Sequence, residues 1–174
     1  MNEEDIADLD YFVDLQPKKE DFYEAVLRGL SLPQKSISPK FFYDEKGSKI
    51  FDKICEAPEY YVTRTEIAIL NDIKKEIYSV VEPGSVAVEY GCGSSIKIKA
   101  LLSALPDPSH YIAIDISKSH LIATAKEIAS DYLNISVGAI CADFLEPIDW
   151  PEKASSKSSK RLAFFPGSTI GNQI

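Results

Sequence analysis

Val86-Ala87-Val88-Glu89-Tyr90-Gly91-Cys92-Gly93-Ser94 constrains this chain more than any other stretch. A short β-branched apolar run ends in an acid and a Gly-x-Gly turn. A helical pattern follows, then a second apolar strand ending at Asp115. Strand, glycine turn, helix, strand and terminal acid form the unit with which Rossmann-like folds hold an adenine nucleoside. A dinucleotide site needs a third glycine three positions after the second, because a pyrophosphate lies against the helix N-terminus there. Ile96 holds that position, so the loop suits a nucleoside without a pyrophosphate.

The rest of the chain extends the same pattern. After the Gly-x-Gly turn, Ile96, Ile98, Leu101 and Leu102 predict a helix from about Ser94 to Leu105, stopped by Pro106-Asp107-Pro108. A second strand is predicted over Tyr111–Ile116. Ser117 is placed to cap a helix carrying Leu121, Ile122, Ala125, Ile128 and Ala129. A third strand runs over Ile135–Ile140 and ends near Asp143-Phe144. After a polar loop, a fourth strand over Leu162–Phe165 leads into Pro166-Gly167-Ser168-Thr169-Ile170-Gly171-Asn172. Strands alternating with amphipathic helices imply a parallel sheet with right-handed crossovers.

The first 84 residues read differently. Residues 1–17 are acidic and weakly patterned, which predicts an extended or loosely docked arm. Helical spacing covers Lys19–Leu30. A helix carrying Ile50, Phe51 and Ile54 follows an aromatic loop, and Thr63 with Glu66 matches a capping box opening a long helix to about Val80. The expected architecture is therefore α/β. A helical N-terminal region over 1–84 contributes loops, and it precedes a Rossmann-like domain over 85–174 whose parallel sheet is incomplete.

Ligands of parallel sheets bind at the carboxyl ends of the strands. Gly91 and Gly93 allow close backbone approach. Asp115, about 20 residues after the turn, can accept both ribose hydroxyls. Asp143 can accept from an adenine amino group while Phe144 covers the ring. Together these fit S-adenosylmethionine (SAM). Each also has a plainer role: a tight turn for the glycines, a helix cap for Asp115, core for Phe144, a solvated charge for Lys97, and a small filler for Cys92. The register of all four strand ends favours the ligand.

Composition narrows the class. The net charge of −8 argues against nucleic-acid binding, which needs a basic face. Three widely spaced cysteines and two histidines form no disulfide framework and no metal motif. No apolar run approaches the ~20 residues of a membrane span, and the acidic N-terminus is no signal peptide. These point to a cytoplasmic protein with no metal.

Three further stretches carry a resemblance: Pro39-Lys40-Phe41-Phe42-Tyr43-Asp44-Glu45-Lys46-Gly47-Ser48, Pro58-Glu59-Tyr60-Tyr61-Val62-Thr63-Arg64-Thr65-Glu66, and Phe165 to Asn172. With them the chain resembles the SAM-dependent histidine-specific Nα-methyltransferase family of ergothioneine biosynthesis, over about Ser36 to Asn172. The resemblance implies cofactor contacts at Tyr43, Gly91, Lys97, Asp115, Asp143 and Phe144, with Lys97 on the methionine carboxylate. It implies that Tyr60, Gly167 and Asn172 hold an amino-acid substrate, L-histidine or a related one, with Tyr60 and Asn172 at the catalytic centre. Val62 departs from a usual proline, and Gln173-Ile174 departs as well. The family continues well beyond residue 174 with a substrate domain. The alternative expectation is accordingly a truncated or split fragment that binds SAM without turnover, or needs a second chain for the C-terminal half.

Overall fold

The computed structural model describes residues 6–17, 21–42, 44–154 and 160–167. Its centre is a parallel five-stranded sheet of order β1-β4-β3-β2-β5. The strands are β1 (Tyr11–Asp14), β2 (Val86–Tyr90), β3 (His110–Asp115), β4 (Ser136–Cys141) and β5 (Arg161–Phe164). The helices are α1 (Phe22–Ser31), α2 (Glu45–Glu56), α3 (Val62–Asp72), α4 (Lys74–Val80), α5 (Ser95–Leu102) and α6 (Lys118–Asp131).

β2, β3 and β4 are continuous apolar runs because both faces of the sheet are covered. Side chains alternate between faces along each strand. Ala87, Tyr111, Ala113, Val137 and Ala139 face a cluster containing Ile98, Leu101 and Leu102 of α5, Leu121, Ala125 and Ile128 of α6, and Leu70 of α3. Val86, Val88, Ile112, Ile114 and Ile140 face the other way, toward Tyr11, Ala142, Ala154 and the partly buried Phe144, Ile148 and Trp150. Ser95 Oγ and Lys99 Nζ both meet Glu127 Oε1, at 2.7 and 2.5 Å, and tie α5 to α6.

The N-terminal arm is extended over residues 11–14, as expected, but it is built into the sheet. It is docked, and its residues 11–14 add a fifth strand alongside β4, with Tyr11 opposite Gly138 and Asp14 opposite Cys141. Side chains help seat it. Asp10 Oδ2 accepts the Val137 N–H at 2.7 Å, Lys118 Nζ pairs with Asp14 at 2.7 Å, and the Tyr11 ring occupies the space above Gly138.

The predicted long helix also divides. α3 and α4 meet at Ile73, whose φ −89° and ψ 7° leave the helical range. Tyr61, not Thr63, is the N-cap of α3, and no side chain caps it. Thr63 lies inside the helix and is buried. Glu66 is thereby released from the capping box and bonds elsewhere.

The chain runs from β2 to β3 and β4 on one side, then crosses to β5 on the other side of β2. That reversal opens a crevice at the carboxyl end of β2, where α/β sheets bind ligands.

A candidate cofactor cleft at the carboxyl ends of the strands

The crevice is a cleft of about 200 Å³. Its floor is the β2 end and the turn after it: Glu89, Gly91, Cys92, Gly93 and Ser94. Ile96 and Lys97 of α5 form one wall, and Asp115, Ile116 and His120 another. Asp143, Phe144 and Leu145 follow β4, and Pro166 and Gly167 follow β5. The N-terminal layer closes over it with Ser38, Pro39, Lys40, Phe51, Cys55 and Thr63 among others.

The turn is built as its glycines require. Gly91 has φ 76°, the left-handed region that disfavours other residues, and its N–H donates to Ile114 O at 2.9 Å. At Gly93 no atom lies within 4 Å of where a Cβ would stand, so the cleft is open there. Cys92 is fully buried, and burial pushes its thiol well above the ordinary range. That leaves it an inert packing residue.

Two carboxyl groups are unusual. Glu89 is 1% exposed. Its Oε2 accepts the Tyr111 hydroxyl at 2.5 Å, while its Oε1 is buried without a hydrogen-bond partner. Burial pushes the Glu89 carboxyl up to about 8, against the opposing pull of the Tyr111 hydrogen bond. Asp115 is pushed up to about 6, again by burial, and is held back by the N–H of Ser117, which donates to its Oδ1 at 2.7 Å. Asp115 thus spends one oxygen locally, through an Asx turn.

Asp143 Oδ1 accepts the Leu145 N–H at 3.1 Å. Phe144 packs edge-on against Phe165 (5.4 Å, 90°) and Tyr90 (6.2 Å, 87°), and those two rings stack on each other at 5.0 Å. Phe144 therefore belongs to an aromatic cluster while also lining the cleft. Lys97 is not the solvated charge of its plainer reading. Its side chain is 12% exposed, and Nζ lies 2.7 Å from Glu66 Oε2. Gly167, at φ 66°, donates its N–H to Glu66 Oε1 at 2.7 Å.

Gly91, Lys97, Asp115, Asp143, Phe144 and Gly167 therefore line one cleft. Tyr60 does not line it. It is half-buried and packs edge-on against Phe51, which does. Tyr43 and Asn172 lie outside the described residues. Glu66 and the Glu89–Tyr111 pair are site features that no local pattern in the sequence marks. Thr63 is another, its Oγ1 buried without a partner. The nearest signal is a helical stripe shared by Thr63, Glu66 and Leu70, of which the outer two are buried.

The orphaned Glu89 Oε1 supplies a polar atom that a ligand can satisfy. With the open space at Gly93 and the carboxylates at two strand ends, the donor and acceptor set fits SAM. Among the described residues, no cluster of His, Cys, Asp or Glu could hold a metal ion, and no helix is long and apolar enough to cross a membrane.

Comparison with known proteins is consistent with this geometry. The chain is 39% identical over 150 residues to a histidine N-alpha-methyltransferase of Mycobacterium tuberculosis, covering 84% of this chain and 45% of that protein. It is 30% identical over 152 residues to ergothioneine biosynthesis protein 1 of Schizosaccharomyces pombe, covering 82% of this chain and 20% of that protein. It is 29% identical over 154 residues to the 4-dimethylallyltryptophan N-methyltransferase easF of Claviceps purpurea, covering 86% and 45%. The chain thus spans less than half the length of these relatives. A family profile described as histidine-specific methyltransferase, SAM-dependent, matches residues 22–174, nearly all of the sequence. By that match the chain belongs to the SAM-dependent histidine-specific methyltransferase family.

Proposed function

We propose that this chain carries the cofactor site of an enzyme that methylates the α-amine of L-histidine, the first step toward ergothioneine. The observation that carries the reading is the meeting of Lys97, Asp115, Asp143 and Phe144 in one cleft, in a chain 39% identical to a histidine N-alpha-methyltransferase. The 4-dimethylallyltryptophan relative supports the amino-acid class of acceptor.

When bound, SAM supplies an electrophilic methyl on a sulfonium; the protein contributes binding, orientation and electrostatics. In our reading Asp115 accepts from the ribose and Asp143 from the adenine amino group. Phe144 covers the adenine, Gly91 lets the backbone come close, Tyr43 adds a further contact, and Lys97 holds the methionine carboxylate. Gly167, Tyr60 and Asn172 are assigned to the amino-acid substrate, and Tyr60 and Asn172 to its reacting amine. That amine attacks only when neutral. Removing it from water lowers its pKa, so a closed site favours the reactive form. Fixing amine and methyl together converts a bimolecular step into an effectively unimolecular one. Free thiols at Cys55, Cys92 and Cys141 fit a reducing compartment, and we place the protein in the cytoplasm.

The test is incubation with SAM and L-histidine, followed by mass spectrometry. Histidine gaining one or more methyl groups supports the reading. S-adenosylhomocysteine binding with no methylated amino acid, under any addition of a second chain carrying the relatives' remaining length, would leave a cofactor-binding half-site and sink the substrate assignment.

A further inference from the structure

Glu66 touches two residues of the cleft without lining the cleft itself. Its Oε2 lies 2.7 Å from Lys97 Nζ on α5, and its Oε1 accepts the Gly167 N–H at 2.7 Å after β5. One carboxylate therefore joins three segments that are distant in sequence. The junction is tight. A Cβ on Gly167 would stand 2.8 Å from Lys97 Nζ, so the loop backbone lies directly against the ammonium. We infer that Glu66 is a positioning residue that aims Lys97 at the amino-acid end of the cofactor and locks the Gly167 loop beside it. This rests on the proposed cofactor site.

The chemistry supports that role. A lysine ammonium on a four-carbon stem has many rotamers and three donors. Without a fixed partner it would turn toward water. Lys97 and Glu66 Oε2 lie close enough for an ion pair, although no aligned hydrogen bond forms on that oxygen, so the ammonium keeps its donors for a ligand carboxylate. The same anion satisfies the Gly167 N–H, so the lysine and the proposed substrate loop keep one geometry. Glu66 draws its effect from Lys97, and this makes the inference separable from a general stabilising role.

The test is calorimetric titration of the full chain with two ligands, S-adenosylhomocysteine and 5′-methylthioadenosine. The second keeps the nucleoside and sulfur but lacks the amino-acid part. The proteins are wild type, Glu66→Ala, Glu66→Gln, Lys97→Met and the Glu66→Ala/Lys97→Met double variant. Glu66→Ala is expected to weaken S-adenosylhomocysteine by about tenfold, the scale of one hydrogen bond to a charged group. It should leave methylthioadenosine unchanged. The double variant should bind no more weakly than Lys97→Met alone. Glu66→Gln keeps the shape and, through its one carbonyl oxygen, the Gly167 contact, but turns an amide donor toward Lys97; it carries the test if the alanine variant does not fold, and should show a comparable loss confined to S-adenosylhomocysteine. Equal losses for both ligands, additive losses in the double variant, or unchanged or tighter S-adenosylhomocysteine binding would overturn the inference. If wild type binds neither ligand, the cofactor-site reading fails and takes this inference with it, a result distinct from normal wild-type binding with no Glu66 effect.

Discussion

The buried Glu89–Tyr111 pair sets a pH dependence of stability with a definite sign. The Glu89 carboxyl moves from 4.5 to about 8 on folding, because burial penalises its charged form. A group whose pKa rises on folding contributes stability that is fully present below the unfolded value and is lost as pH climbs through the folded one. Each pKa unit corresponds to about 1.4 kcal/mol. Between pH 4.5 and 7 the folded state thus loses about 3 kcal/mol through Glu89 alone, a large part of a typical domain's stability. Asp115, raised from 3.8 to about 6, adds a decline in the same direction over a more acid range. Glu89→Gln isolates the first contribution, because the amide keeps the shape and still accepts the Tyr111 hydroxyl but cannot ionise. Urea unfolding of both proteins at pH 5 and pH 8.5 measures it. At pH 5 the two should be equally stable within about 1 kcal/mol. At pH 8.5 the glutamine variant should have gained about 4 kcal/mol on wild type. A gap independent of pH, or one that widens toward acid, would refute the burial argument.

Three further outcomes rest on single residues. Asp115 needs its charge to accept strongly from two hydroxyls, and it is raised to about 6. S-adenosylhomocysteine affinity should therefore fall as pH drops below about 6, and Asp115→Asn should bind more weakly with that pH dependence removed; titration from pH 8 to pH 5 checks both. At Gly138 a Cβ would stand 2.0 Å from Tyr11 Cζ, so Gly138→Ala should displace the ring, loosen β1 and cost about 1–3 kcal/mol. Gly93→Ala, with nothing within 4 Å, should change thermal stability little.

What the sequence made legible was the part written in local pattern. β2, β3 and β4 appear within a residue of their predicted bounds, because strands buried on both faces read as unbroken apolar runs. Asp115, Asp143 and Phe144 could be placed at one sheet edge for the same reason: strand ends in a parallel sheet share an edge. β1 was hidden. It has four residues, one acid precedes it and another ends it, and its seating depends on Gly138 and Lys118, far away in the chain. Thr-x-x-Glu over residues 63–66 is a valid local capping signal, and only the distant Lys97 and Gly167 show what the Glu66 carboxylate meets instead. Lys97 shows the converse: helical position suggested a solvated charge, and the fold turned it into a cleft wall.

If the strand ends form a working SAM site, this chain binds the cofactor's product by itself. Titrating S-adenosylhomocysteine into this chain tests it directly. One ligand should bind per chain with micromolar or tighter affinity, and Asp115→Asn and Lys97→Met should each weaken it by about tenfold. Absence of binding by a folded chain, or binding indifferent to both substitutions, would show that the strand ends hold no such site.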